Sequence, residues 1–331
     1  MYTDEDLNIA VSKGIFSADS VAAFRENIST SKYTHGVDEE NFSLVSSFND
    51  IFVVIACTLL LGSSAWVTSA IHPSVGMAVL AGLSWILAEF FVRKRKMALP
   101  AIMLLLSFIG SIFTTGIFLF KAMGTEAFFF SATAAAIAAY THWLRFKVPI
   151  TIAAGTAASV AVVVAALLTM FPGMSDRIMH MVFVGGVVSF SVAMYWDMTD
   201  RSRTTRQSDI AFWLHLLAAP MIVHPIFSRL GIADGNENLS NITIILLLYL
   251  AMTLISVIID RRAFMISSLI YVIYAFSEFF TLYGFAGYNL ALTGVCIGLA
   301  LILLSGFWHR VRTAIVLRLP HFAQQLIPPI K

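Results

Sequence analysis

The chain has 331 residues, of which 59% are hydrophobic and 12% charged, and its formal net charge is +2. Soluble domains carry about 25% charged residues, and the mean hydropathy here is +0.84, so a water-soluble fold of this size could not hide its apolar surface. This excludes a nucleic-acid binder, a secreted disulfide scaffold and an ordinary cytosolic enzyme, and it leaves an all-α, polytopic integral membrane protein.

Residues 1–47 carry eight acids and three bases. They read as a helical hairpin over 3–28 followed by a polar linker. Thr3 is placed to cap a first helix whose opening acids, Asp4, Glu5 and Asp6, suit the positive end of the helix dipole. Leu7, Ala10 and Val11 share a face, and Gly14 can stop that helix. Ser17 can cap a second helix that carries Val21, Phe24 and Ile28. A polar, acidic start with the first apolar run near Ile51 does not read as a signal peptide. A segment this short is too small for an independent core, so it is expected to pack on the membrane domain or on a protein partner.

Ten apolar runs follow in the domain 48–308. They lie near 50–70, 74–92, 98–120, 127–144, 148–171, 178–196, 210–231, 240–259, 263–284 and 288–308. Each is close to the roughly 20 residues needed to cross the hydrocarbon core, the fourth being the shortest. Spans four and five are rich in small residues, and span ten contains Gly294-x-x-x-Gly298. Both patterns favour close helix packing. Cys57 and Cys296 fall inside apolar runs and read as small hydrophobes. The tail 309–331 has the pattern of a short interfacial helix that Pro320 ends. A five-plus-five inverted repeat is allowed by the count, but no internal similarity supports it.

The bases set an orientation. Arg93, Lys94, Arg95, Lys96, Arg145, Lys147, Arg201, Arg203, Arg206, Arg261 and Arg262 fall in alternate loops, and Arg310, Arg312, Arg318 and Lys331 fall in the tail. The opposite loops hold only Lys121, Arg177 and Arg229. The positive-inside rule then predicts both termini in the cytoplasm. Trp143, Trp196, Trp213 and Trp308 lie near the predicted inner boundary, as an aromatic belt would.

Ionisable groups within a span are costly and mark candidate sites. Ser267, Tyr271, Tyr274, Glu278 and Thr281 are spaced 4, 3, 4 and 3 residues apart, which places them on one face of the ninth helix. Such a stripe reads as a water-lined path or as a polar seam between helices. The seventh span carries His215, Pro220, His224 and Pro225. The two histidines point to opposite sides of a straight helix, so they are poor partners for one metal. His224 matches Glu278 in predicted depth, and a hydrogen bond between them would suit proton or cation handling. In the loop between spans six and seven, Arg201, Arg203, Arg206 and Asp209 can hold phosphate or carboxylate, or pair among themselves and with lipid headgroups. Glu89 lies one turn before Arg93 and reads as its surface ion-pair partner. No phosphate loop, metal motif, nucleophile elbow or paired carboxylate is present, so no metal is expected and no cofactor is indicated.

The segments Leu7-x-x-Ala10 to Gly14-Ile15-Phe16-Ser17-Ala18-Asp19, Phe48-Asn49-Asp50-Ile51-Phe52 and Asp209 to Pro220 resemble a family of polytopic proteobacterial inner-membrane proteins of unknown function. The resemblance covers these short segments. It implies a bacterial inner membrane and transfers no catalytic residue. The pattern favours a transporter or channel for a small solute or ion, using the ninth helix. The alternative is a membrane scaffold, assembly factor or sensor acting through the N-terminal hairpin. An embedded enzyme is the least favoured class.

Overall fold

The computed structural model describes residues 7, 10–24, 48–200, 203, 205–230, 239–285 and 287–328. The chain divides into two compact units, Met1–Phe42 and Ser43–Lys331.

In the first unit the stop and start signals act as expected. Gly14 takes φ +68, a left-handed conformation that costs glycine nothing. Its N–H donates to Val11 O at 3.0 Å, and Ile15 N–H donates to Ala10 O at 2.9 Å. Ser17 Oγ accepts from Ser20 N at 3.1 Å and opens the helical stretch 18–24. Thr3, Ile28 and the linker lie outside the described residues.

The second unit is a helical membrane domain. Its helices are α1 (Phe48–Ser69), α2 (Pro73–Ala88), α3 (Ala98–Leu119), α4 (Glu126–Phe146), α5 (Ile150–Met170), α6 (Ile178–Thr199), α7 (Arg206–Ser228), α8 (Leu239–Ile259), α9 (Ala263–Leu282), α10 (Asn289–Val316) and α11 (His321–Leu326). The first ten are long and apolar enough to cross a membrane. They sit where the apolar runs predicted them, and the short fourth run is a full 21-residue helix. A six-residue π-helical turn, Glu89–Lys94, extends α2. Span ten departs from expectation. It does not end at 308 but runs unbroken to Val316, so the tail helix expected after His309 is the end of α10. Only after Pro320 does α11 begin.

From α1 to α7, and again from α8 to α10, sequential helices pack on one another, and α3 also meets α1 and α5, α7 meets α5 and α9, and α8 meets α10. The seventh helix is the hub, with half of its most apolar stretch buried against 11% for α10. Ala219, Val223 and Phe227 of α7 form a core with Ile242, Ile245 and Met252 of α8 and Phe264 and Ala275 of α9. A second core joins Ala81, Leu105, Phe108, Ala135, Ala138 and Ala139. The small-residue face of α4 is buried as predicted, and Gly116 of α3 lies against it. A Cβ at Gly116 would come within 2.5 Å of Ser131 Oγ and 2.9 Å of Ser131 Cα. Because Ser131 Cα is backbone, the clash has no easy relief. Gly116→Leu should cost about 1–3 kcal/mol, read as a lower melting temperature of the detergent-purified protein. An unchanged melting temperature would mean that α3 and α4 are not this close.

Two expectations about packing are corrected. A Cβ at Gly294 or Gly298 meets open space, so this pair does not form a helix seam. In this stretch of α10 the buried positions are Thr293 and Ile297 instead. Trp308 does not belong to an interfacial belt. It is 1% exposed and donates from Nε1 to Asp260 Oδ1 at 2.9 Å. Trp143, Trp196 and Trp213 pack against Ala153, Ala193, Ile210 and Leu214.

The end of the domain that carries the basic loops has a repeated device. Lys96, Lys147, Arg203 and Asp260, one in each of the α2–α3, α4–α5, α6–α7 and α8–α9 loops, take φ of 54, 54, 56 and 58. Left-handed backbone costs a side-chain-bearing residue about 1–2 kcal/mol. Lys96→Gly should therefore raise stability by up to about 1 kcal/mol, and a lower melting temperature would refute this. Glu89 contacts Arg93 at 3.4 Å as expected. Its stronger partner is Arg145 of α4, with Nε–Oε1 at 2.6 Å and Nη2–Oε2 at 3.1 Å.

Candidate functional site

Two groups of polar side chains stand out, one between α7 and α9 and one at the base-rich end.

On α9 the predicted stripe forms a single face. Ser267, Tyr271, Tyr274 and Glu278 are half-buried, and Thr281 is exposed. On α7, His224 is also exposed, and its Nδ1 pairs with Tyr271 Oη. Phe227 stacks on the Tyr271 ring at 4.5 Å between centroids. The expected His224–Glu278 hydrogen bond does not form. Seven residues of helix separate Tyr271 from Glu278, about 10 Å along the axis. The crossing of α7 and α9 therefore brings His224 to Tyr271, two turns short of the carboxyl. Glu278 has no hydrogen bond or ion pair among the described residues. Near the end of α9, Asn289 Nδ2 donates to Ser277 Oγ at 2.9 Å and to Thr281 Oγ1 at 3.1 Å.

The second histidine of α7 has a different setting. His215 is wholly buried, and its Nε2–H donates to Asp197 Oδ2 of α6 at 3.0 Å. Its Nδ1 is buried without a hydrogen-bond partner. Arg261, from the α8–α9 loop, grips the same carboxylate. Its Nη2 lies 2.7 Å from Oδ1, and its Nε lies 3.3 Å from Oδ2. Nη2 also reaches Ser208 Oγ at 3.2 Å, at the start of α7.

Asp260 anchors the other half of this network. Besides Trp308, its carboxylate meets Arg203 Nη1 at 3.3 Å and Arg312 Nε at 3.5 Å. Arg203 Nη1 also donates to Asp260 O, and its Nη2 donates to Ile259 O, both at 3.1 Å. These carbonyls are left open where α8 ends, so the guanidinium acts as a C-terminal cap. Burial, and then the charge of Arg261, push the Arg203 guanidinium below its ordinary value. Arg312 Nη2 donates to Pro328 O at 2.7 Å, which holds the tail after α11 against the end of α10. Asp200 Oδ2 accepts from Thr205 N at 2.8 Å and Thr205 Oγ1 at 2.6 Å.

Six buried charges thus meet at one end of the domain: Asp197, Asp200 and Asp260 with Arg203, Arg261 and Arg312. Their formal charges cancel, which is how such a cluster survives low dielectric. Of the loop residues singled out from sequence, Arg203 is committed to this network. Arg206 is exposed, Asp209 is half-buried, and Arg201 lies outside the described residues. Read from sequence, Arg261 is only a loop base, and neither Asp197 nor Asp260 stands out. A usable signal exists in Ile259-Asp260-Arg261-Arg262, where an acid sits inside a basic turn straight after an apolar span.

Among the described residues no group of histidine, cysteine and carboxylate side chains is arranged to hold a metal ion. No known protein family, curated protein or solved structure matches the chain.

Proposed function

We propose that this multi-pass membrane protein is a transporter or channel for a small solute or ion, with its path along the polar face of α9 and the adjoining side of α7. The observation that carries this reading is Glu278, a half-buried carboxyl within an apolar span, without a partner among the described residues. A carboxyl facing only lipid there would cost several kcal/mol, and contact with water or a cation removes that cost. Pro220 and Pro225 support the same reading, because each removes a backbone donor from α7 and leaves a carbonyl that protein or water has to satisfy.

The test is proton flux into proteoliposomes carrying a pH-sensitive dye, driven by a potassium diffusion potential. Glu278→Gln and His224→Ala should drop the flux to that of protein-free vesicles while both variants still purify as folded protein. Wild-type flux in both variants would sink the site. Native mass spectrometry of the gently solubilised protein checks the competing cofactor reading, which a bound group of defined mass would promote.

The separate compactness of Met1–Phe42 favours a second reading, in which the protein is a scaffold, assembly factor or sensor that recruits a protein partner through this unit. Deleting residues 1–45 should then remove a co-purifying protein and leave the membrane domain folded. The base-rich end is proposed to face the cytoplasm of a bacterial cell, as its loops and the resemblance to inner-membrane proteins suggest. Cysteine placed at Lys121 should label from outside intact spheroplasts and cysteine placed at Lys96 should not. The reverse pattern would invert the topology.

A further inference from the structure

Helices α5 and α6 are consecutive, yet a cleft of about 1140 Å³ opens beside them, with α4 as its third wall. It extends along α5 from Thr151 to Leu167, about 24 Å of helix against about 15 Å for one leaflet of the hydrocarbon core. We propose that this cleft is a binding site for a membrane phospholipid with an anionic headgroup, its chain lying along α5 and its headgroup held at Arg177 and His180.

The cleft is divided in its chemistry. The serine and threonine hydroxyls along its length are already used within the protein. Thr156 donates to Ile152 O, Ser159 to Gly155 O and Ser189 to Gly185 O, at 2.9, 2.8 and 2.8 Å. Thr151 pairs with His142 Nδ1 at 3.2 Å. What these residues offer the cleft is carbon. Val160, Val163, Val164 and Val184 complete the wall, which is the surface an acyl chain matches. Among the residues that line the cleft, the basic side chains gather at one end only. Arg177 and His180 line that end, and neither makes an ion pair or hydrogen bond among the described residues. No acidic residue lines the cleft. Asp176 precedes Arg177 in the connecting turn but is not part of the wall. An apolar trough closed at one end by a lone cation complements a chain that ends in a negative headgroup, and a guanidinium matches phosphate geometry. The site is separate from the α7–α9 path and stands whether or not that path carries a solute.

The test reconstitutes the full chain into vesicles of equal parts phosphatidylglycerol and phosphatidylcholine. The protein is then extracted gently, and the lipid that stays bound is quantified by mass spectrometry. The wild-type protein should retain phosphatidylglycerol about tenfold over phosphatidylcholine, as one charge-assisted contact would give. Arg177→Gln combined with His180→Gln should return the ratio to that of the vesicles, and Arg177→Lys should keep most of the preference. Val163→Trp, which fills the trough, should lower retention of both lipids while the melting temperature holds. Glycerol phosphate alone should not displace the lipid. A wild-type ratio equal to that of the vesicles, a preference that survives loss of both the Arg177 and His180 side chains, or full retention in Val163→Trp would each overturn the proposal. Displacement by glycerol phosphate would also overturn it, by removing any role for the chain.

Discussion

Asp260→Ala is expected to destabilise the membrane domain by about 3–5 kcal/mol, the usual result of removing one partner from a buried ion pair. Asp260 is 6% exposed. Its carboxylate accepts hydrogen bonds from Trp308 Nε1 and Arg203 Nη1 and forms an ion pair with Arg312. Alanine would leave the indole N–H without its acceptor and two guanidinium groups buried without their shared counter-charge. It would also put a Cβ-bearing residue with no polar side chain at φ +58, where aspartate and asparagine are better tolerated. Asp260→Asn separates these effects. It keeps the left-handed turn and an acceptor for Trp308 but loses the charge, so its cost should fall between wild type and alanine. Both are read as the fraction of detergent-purified protein that stays monodisperse after a heating series. If the alanine variant melts with the wild type, the cluster contributes nothing net to stability.

Asp197→Ala is the second large effect, again about 3–5 kcal/mol. Asp197 and Arg261 are each 2% exposed, so water cannot replace the lost carboxylate. His215 Nε2–H would lose its acceptor as well, adding a second unsatisfied buried group. The informative control is the double variant Asp197→Leu with Arg261→Met. Removing both charges together leaves no unpaired ion, so much of the lost stability should return. If the double variant is as unstable as the sum of the two single changes, the ion pair is not the reason for the loss. The Glu278 variants should behave differently. That carboxyl has no partner among the described residues to abandon, so Glu278→Gln should change flux and leave melting where it was.

The ten spans were legible because their signal is local. A run of about 20 apolar residues describes a bilayer crossing without reference to any other part of the chain. The N-terminal cap at Ser17 and the stop at Gly14 were legible for the same reason, since a side-chain oxygen or a missing Cβ acts within one turn. The stripe on α9 was also readable, because residues three and four apart share a helix face whatever surrounds the helix. Its partner was not. Depth counted along two separate helices paired His224 with Glu278, but the angle at which α7 crosses α9 pairs it with Tyr271.

The buried network shows the limit most clearly. Asp197, Arg203, Arg261 and Arg312 are spread over more than a hundred positions, and as sequence each looks like a topogenic or surface charge. Gly294 and Gly298 mislead in the opposite direction, with a packing motif that meets no neighbour.

From its sequence alone, this chain determined that it is a helical membrane protein, how many times it crosses, and which end collects the bases. Those properties are sums over single helices in contact with lipid or water. Tertiary structure decided which charges are buried, which histidine meets a carboxylate and where a cleft opens, because each depends on helix crossings that bring together residues far apart in the chain. In a low-dielectric interior an ion is tolerated only beside its counter-ion, and that proximity is a property of the packed bundle rather than of any one helix.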